Sequence, residues 1–161
     1  MLLTVKACGE GNEPTPHQTT NIRGIYDIRP IRDGTRKPMN QKQRILIVDD
    51  DKNMSKTVQD ILNSHGYRTR VANTGEDALA LAKENHFDCV LSDIKMPGMS
   101  GVDLFHAFQV YHPDIPIILM TAYASTDLIS TGAAEGVVAV LNKPLDFELL
   151  FMYLSALGPP T

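Results

Sequence analysis

From Arg44 onward, short unbroken apolar runs alternate with amphipathic stretches, and polar residues close the runs. RILIVDDD (44–51) ends in three acids and FDCVLSD (87–93) ends in Asp93. IPIILMTA (115–122) carries Thr121 near its end, and VVAVLN (137–142) is followed directly by Lys143 and Pro144. A strand covered on both faces has no solvent side, so it reads as a continuous apolar run and not as strict alternation. Tyr67–Ala72 is a further strand-like run. Between these runs, Met54, Val58, Ile61, Leu62 and His65 recur at helical spacing until Gly66 stops them. Gly75–Asn85 places Ala78, Leu81 and Ala82 on one face. Pro97 and Gly98 break the chain before a helix over Val102–Tyr111. A Gly- and Ala-rich helix is expected over Ser125–Gly136. Phe147, Leu150, Phe151 and Leu154 give a last helix, ended by Gly158-Pro159-Pro160.

Five strands alternating with five helices through short connections require right-handed crossovers and a parallel sheet covered on both faces. The expected fold is therefore α/β: a flavodoxin-like, doubly wound, five-stranded parallel sheet of order 2-1-3-4-5 with five helices. In such sheets ligands bind at the carboxyl ends of the strands.

The chain has 161 residues, 43% of them hydrophobic and 21% charged, which suits one globular domain plus an extension. Residues 1–42 hold four prolines and four glycines and show no useful periodicity, so an N-terminal extension without stable structure is expected, with a weak strand signal near Asn21–Ile28. Met39 is a candidate alternative translation start. The domain is expected over 43–158 and a short tail over 159–161. Residues 1–43 carry seven Lys or Arg against four Asp or Glu, whereas 44–161 carry eight against fifteen. An acidic body argues against direct nucleic-acid binding. No apolar run reaches the roughly 18–20 residues of a membrane helix, and the stretch MLLTVKACGEGNEP lacks the apolar h-region of a secretory signal. Cys8 and Cys89 make neither a disulfide framework nor a metal spacing, and Cys89 reads as a small buried hydrophobe. A reducing cytoplasm is the expected compartment. The five histidines show no metal-ligand spacing.

Asp49, Asp50 and Asp51 follow the first expected strand, Asp93 the third, Thr121 the fourth and Lys143 the fifth. The fold would bring all of them to one rim. Two like charges about 4 Å apart repel by about 4 kcal/mol at an effective dielectric near 20, so such a cluster wants a cation. Few ligands, all of them oxygen, point to Mg2+, which keeps several waters and prefers one or two carboxylates plus a phosphate oxygen. In that setting Asp93 is the candidate nucleophile, forming an acyl phosphate. Thr121 is the candidate hydroxyl donor to a phosphoryl oxygen, and Lys143 pairs with another as a point charge.

ILIVDDD, LSDIKMPGMSG, IILMTA and Lys143–Pro144, in this order and spacing, resemble the receiver domain of two-component response regulators over about residues 44–157. The resemblance implies a phosphorylation-dependent signalling switch, not an enzyme acting on other molecules, with Asp93 as phosphoacceptor. It implies Mg2+ held by Asp50 directly, by Asp49 directly or through water, by Asp93, and by the backbone carbonyl of Lys95. It leaves Asp51 as a helix N-terminal acid, gives Thr121 and Lys143 the phosphoryl group, and places a cis peptide before Pro144. Pro97 and Gly101 shape the loop after Asp93. Lys95 and Tyr123 occupy the two variable positions that tune acyl phosphate hydrolysis. The implied partners are a sensor histidine kinase or phosphotransfer protein, and a downstream protein bound by the fourth helix, fifth strand and fifth helix. One position departs from the pattern: Val140 stands where the family has Tyr or Phe, three residues before the lysine. The inward swing of that aromatic ring would have to be altered or replaced.

Two other readings compete. A haloacid-dehalogenase-like phosphatase also uses an Asp nucleophile and Mg2+, but after Asp49-Asp50-Asp51 its expected hydrophobic and Thr or Val residues are replaced by Lys52 and Asn53, and a cap domain is lacking. A degenerate receiver acting as a scaffold would fit Val140, but not the intact Asp50, Asp93, Thr121 and Lys143.

Overall fold

The apolar runs become strands whose alternate residues are buried on opposite sides of one sheet. The computed structural model describes residues 42–123 and 135–158. Within them the chain runs β1 (Arg44–Val48), α1 (Lys52–Ser64), β2 (Arg68–Ala72), α2 (Gly75–Glu84), β3 (Cys89–Asp93), α3 (Gly101–Tyr111), β4 (Ile117–Thr121), β5 (Ala139–Asn142) and α4 (Phe147–Leu157). The strands form one five-stranded sheet of order β2-β1-β3-β4-β5, and every pairing is parallel. The expected order is thus observed. Four helices stand among the described residues; α4 is the fifth of the expected set. The expected helix over Ser125–Gly136 falls almost wholly on 124–134, outside the described residues. So do the N-terminal extension to residue 41, its weak strand signal, and the tail over 159–161.

In β1, Leu46 and Val48 face one apolar layer and Ile45 and Ile47 face the other. The first layer gathers Ala78 and Ala82 of α2 and Leu104, Phe105 and Phe108 of α3; the second gathers Val58 and Leu62 of α1 and Leu150, Tyr153 and Leu154 of α4. Burying each large apolar side chain contributes about 1.5–3 kcal/mol, so the two layers explain why β1, β3 and β4 carry no polar alternation. The outer strand β2 differs: Arg68 and Arg70 are exposed, and Ala72 alone is fully buried.

Strand ends are set by hydrogen bonds that periodicity does not reveal. Tyr67 donates its amide to Leu62 at the end of α1 and not to the sheet. At the start of β3 the Asp88 amide donates to the Arg44 carbonyl at 2.8 Å and its carboxylate accepts from the Arg44 amide at 2.7 Å, and regular pairing runs from Cys89. Helix starts carry side-chain caps: Asp51 accepts from the amides of Asn53 and Met54, Thr74 and Asp146 cap α2 and α4, and Ser100 with Asp103 forms a reciprocal box at α3. Asp51 therefore has the helix-terminal place expected of it. The Lys143–Pro144 peptide is cis, also as expected.

Phe108 is 1% exposed and packs in the layer between the sheet and α3. Phe108→Ala is expected to cost about 3–5 kcal/mol, because the lost transfer energy adds to the cavity left behind. Urea unfolding followed by circular dichroism checks this; an unchanged midpoint would contradict the described packing.

Candidate functional site: an acidic cluster bridged by a lysine

Parallel strands end together, and here their ends bring distant polar residues to one edge. Asp49 follows β1, Asp93 ends β3, Thr121 ends β4 and Lys143 follows β5. Asp49, Asp50 and Asp93 each offer a carboxylate oxygen, and these oxygens lie within 4.8 Å of one another. Asp49 and Asp93 are buried, whereas Asp50 is exposed. The Lys143 ammonium donates to Asp49 Oδ2 at 2.7 Å and stands 3.3 Å from Asp93 Oδ2. One cation thus serves two buried carboxylates.

Each of these groups is held by its neighbours. Lys143 donates its amide to the Thr121 carbonyl at 2.7 Å, which ties the lysine to the end of β4. The Thr121 hydroxyl accepts from the Tyr123 amide at 3.1 Å. Asp49 Oδ1 accepts from the Asp51 amide at 2.9 Å, and the Asp49 carbonyl accepts from Asn73 Nδ2 at 2.8 Å. The Asp93 carbonyl accepts from the Ser92 hydroxyl. Gly101 approaches that carbonyl so closely that an added Cβ would sit 2.2 Å from its oxygen, while the Gly101 amide donates to Ile94 at 2.9 Å. The loop after Asp93 therefore needs a residue without a side chain at 101, in line with the expected role of Gly101. Lys95, on the same loop, places its ammonium 4.7 Å from the centre of the Tyr123 ring.

The electrostatics follow from burial and from the lysine. Burial raises the Asp93 carboxyl above the ordinary range; Lys143 opposes the rise, the Asp49 charge adds to it, and hydrogen bonds from Lys143 and the Lys95 amide oppose it. For Lys143 burial acts to lower the ammonium, but hydrogen bonding and charge from Asp49, then Asp93, win and raise it. The cluster fits a divalent cation: its donors are carboxylate oxygens, they converge, and the lysine already acts as their partial counter-charge. The exposed Asp50 leaves one side open to solvent and to incoming groups. Sequence reasoning anticipated Asp49, Asp50, Asp93, Thr121 and Lys143 at this edge, and Lys95 beside it. It missed Asn73, although an asparagine directly after the second strand stands at the same edge by the same rule.

A buried carboxyl with a raised pKa opposes folding while charged, and that cost falls as pH drops through the folded value and is gone below the unfolded value near about 3.9. Asp93→Asn should therefore raise the urea midpoint of the metal-free protein at pH 7, with the gain shrinking as pH falls toward 4. A gain that is constant with pH, or a loss at pH 7, would contradict this.

The Response regulator receiver domain family profile matches residues 45–155. The chain is 40% identical over 111 residues to the transcriptional regulatory protein ZraR of Klebsiella oxytoca, covering 69% of this chain and 25% of ZraR. It is 36% identical over 110 residues to sporulation initiation phosphotransferase F of Bacillus subtilis, covering 68% of this chain and 87% of that protein. Response regulator protein TrrA of Thermotoga maritima, solved in complex with Mg2+-BeF, superposes with a TM-score of 0.65 at 31% identity, over 72% of this chain and 99% of TrrA. The chain thus spans about a quarter of ZraR but nearly the whole of the smaller relatives. A matched stretch that covers most of the chain, joined to a parallel sheet of this order with an acidic cluster at its carboxyl edge, makes the chain a member of the response regulator receiver domain family of two-component systems.

Proposed function

We propose that this chain is a phosphorylation-dependent switch in which Asp93 accepts a phosphoryl group from a phosphohistidine on a sensor kinase or phosphotransfer protein. The observation that carries the reading is the Lys143 ammonium set between Asp49 and Asp93, with Asp50 alongside. An Asp93 carboxylate oxygen attacks phosphorus, the bond from phosphorus to the imidazole nitrogen breaks, and the electron pair leaves with the imidazole. The product is an acyl phosphate. Lys143 is already within reach of Asp93 and pairs with a phosphoryl oxygen; the Thr121 hydroxyl donates to another. Asp49, Asp50, Asp93 and the Lys95 carbonyl would hold Mg2+, and Mg2+ when bound supplies charge neutralisation for the phosphoryl oxygens. No action on other substrates is proposed; hydrolysis of the chain's own acyl phosphate resets the switch. The cytoplasm is the proposed compartment, and among the described residues no helix is long and apolar enough to cross a membrane.

The output face is proposed to combine β5 and α4 with the segment between β4 and β5. Val140, 6% exposed, packs in the same apolar layer as Phe105, Leu119 and Val137. A β-branched side chain there has one stiff torsion and little volume to swing, so output is proposed to depend on movement of the β4 and β5 ends.

Incubation with acetyl phosphate and Mg2+ tests the reading. Intact-mass measurement should find one added phosphoryl group on the wild type and none on Asp93→Ala. Labelling that persists in Asp93→Ala, or no labelling together with no beryllofluoride binding, would remove the proposed role.

The Lys95–Tyr123 contact links the loops after β3 and β4 across the site. An exposed cation–π contact is worth about 0.5–1 kcal/mol, which corresponds to about two- to fivefold in a rate. Lys95→Ala should change the half-life of the phosphorylated form by about that factor, followed by phosphate release; a half-life equal to that of the wild type would refute it.

A further inference from the structure

The main chain carrying Asp49 and Asp50 is fastened from outside the acidic cluster. The last paired residues of β1 and β2 are Val48 and Ala72. One further ladder bond follows, from the Asp49 amide to the Ala72 carbonyl at 3.2 Å. The next bond of a parallel ladder would bring a β2 amide to the Asp49 carbonyl, but the chain has already turned, with Thr74 capping α2. The side chain of Asn73 takes that place: Nδ2 donates to the Asp49 carbonyl at 2.8 Å and lies 3.5 Å from the Ser55 hydroxyl of α1. Ser55 is 2% exposed, so the amide is anchored against the packed side of α1. The peptide between Asp49 and Asp50 is thereby fixed in plane. The two carboxylates branch from the α-carbons at either end of that peptide, so its orientation sets where both side chains start.

We propose that Asn73 is a positioning residue for divalent-cation binding, its amide holding the Asp49–Asp50 peptide so that both carboxylates stay directed toward Asp93. This rests on the reading of the cluster as a divalent-cation site. Groups that orient metal ligands from outside the coordination sphere are typically worth about 10–100-fold in affinity. A short donor is required at this position. Aspartate has the same shape but would set an acceptor against an acceptor, and alanine reaches nothing.

The test is Mn2+ titration of the whole chain, with free Mn2+ followed by electron paramagnetic resonance, for the wild type, Asn73→Ala and Asn73→Asp. Asn73→Ala is expected to weaken Kd about tenfold while keeping the wild-type number of ions bound per chain. Asn73→Asp is expected to weaken it as well, despite the added negative charge. A Kd within twofold of the wild type in Asn73→Ala would overturn the inference, as would fewer sites at unchanged Kd, which marks a folding effect. Tighter binding by Asn73→Asp would overturn it by showing that charge, not the donor, governs. If the wild type itself takes up no Mn2+, the divalent-site reading falls and the inference falls with it.

Discussion

A single ammonium group, 2.7 Å from one buried carboxylate and 3.3 Å from another, makes the carboxyl edge of this sheet tenable. Without it, two acids stripped of most of their water would face each other and the exposed Asp50 nearby. Asp49 and Lys143 are 94 positions apart in sequence, so they meet only if all the intervening strand pairings are correct. Thr121 must lie opposite Asn142, Asp93 opposite Met120 and Val48 opposite Ser92. A one-residue slip in any pairing would send its side chains to the opposite face. The two apolar layers guard against that, since the same slip would exchange the residues assigned to each layer. Folding energy and site geometry are thus set by one register.

Much of the architecture was legible because burial on both faces leaves an unmistakable trace. Ile45 to Val48, Val90 to Leu91 and Ile117 to Met120 are apolar without interruption, and each lies in β1, β3 or β4. The ends of strands were less legible. Phe87 and Asp88 continue the pattern of β3, yet β3 starts at Cys89: Asp88 gives its amide to the Arg44 carbonyl, while the return bond from the Arg44 amide goes to the Asp88 carboxylate and not to a main-chain carbonyl. Ile115 and Pro116 precede β4 in the same way. Pro116 has no amide to donate, although its carbonyl accepts from Val90. Such boundaries depend on individual hydrogen bonds, which a pattern of hydrophobicity does not encode.

At the site, the backbone positions were readable and the side-chain partners were not. Topology alone brings Asp49, Asp93, Thr121 and Lys143 to one edge. That Lys143 donates to Asp49 and stands farther from Asp93, that Asn73 reaches the Asp49 carbonyl, and that Lys95 lies over Tyr123 all depend on side-chain torsions, which a hydrophobic pattern does not encode. Val140 shows the reverse. Its identity was visible in the sequence as a departure, and in the structure it is a small buried member of the apolar layer that also holds Phe105. The β4–β5 pairing and the main-chain bond from Lys143 to Thr121 join this region to the site.

The arginines of β2 have a consequence for self-association. Arg68 and Arg70 stand exposed on β2, one of the two edge strands, where unpaired backbone groups would otherwise invite a second chain to add on. Two like copies approaching along that border would set guanidinium against guanidinium and have to strip water from both. Addition of a second chain along this side is therefore penalised.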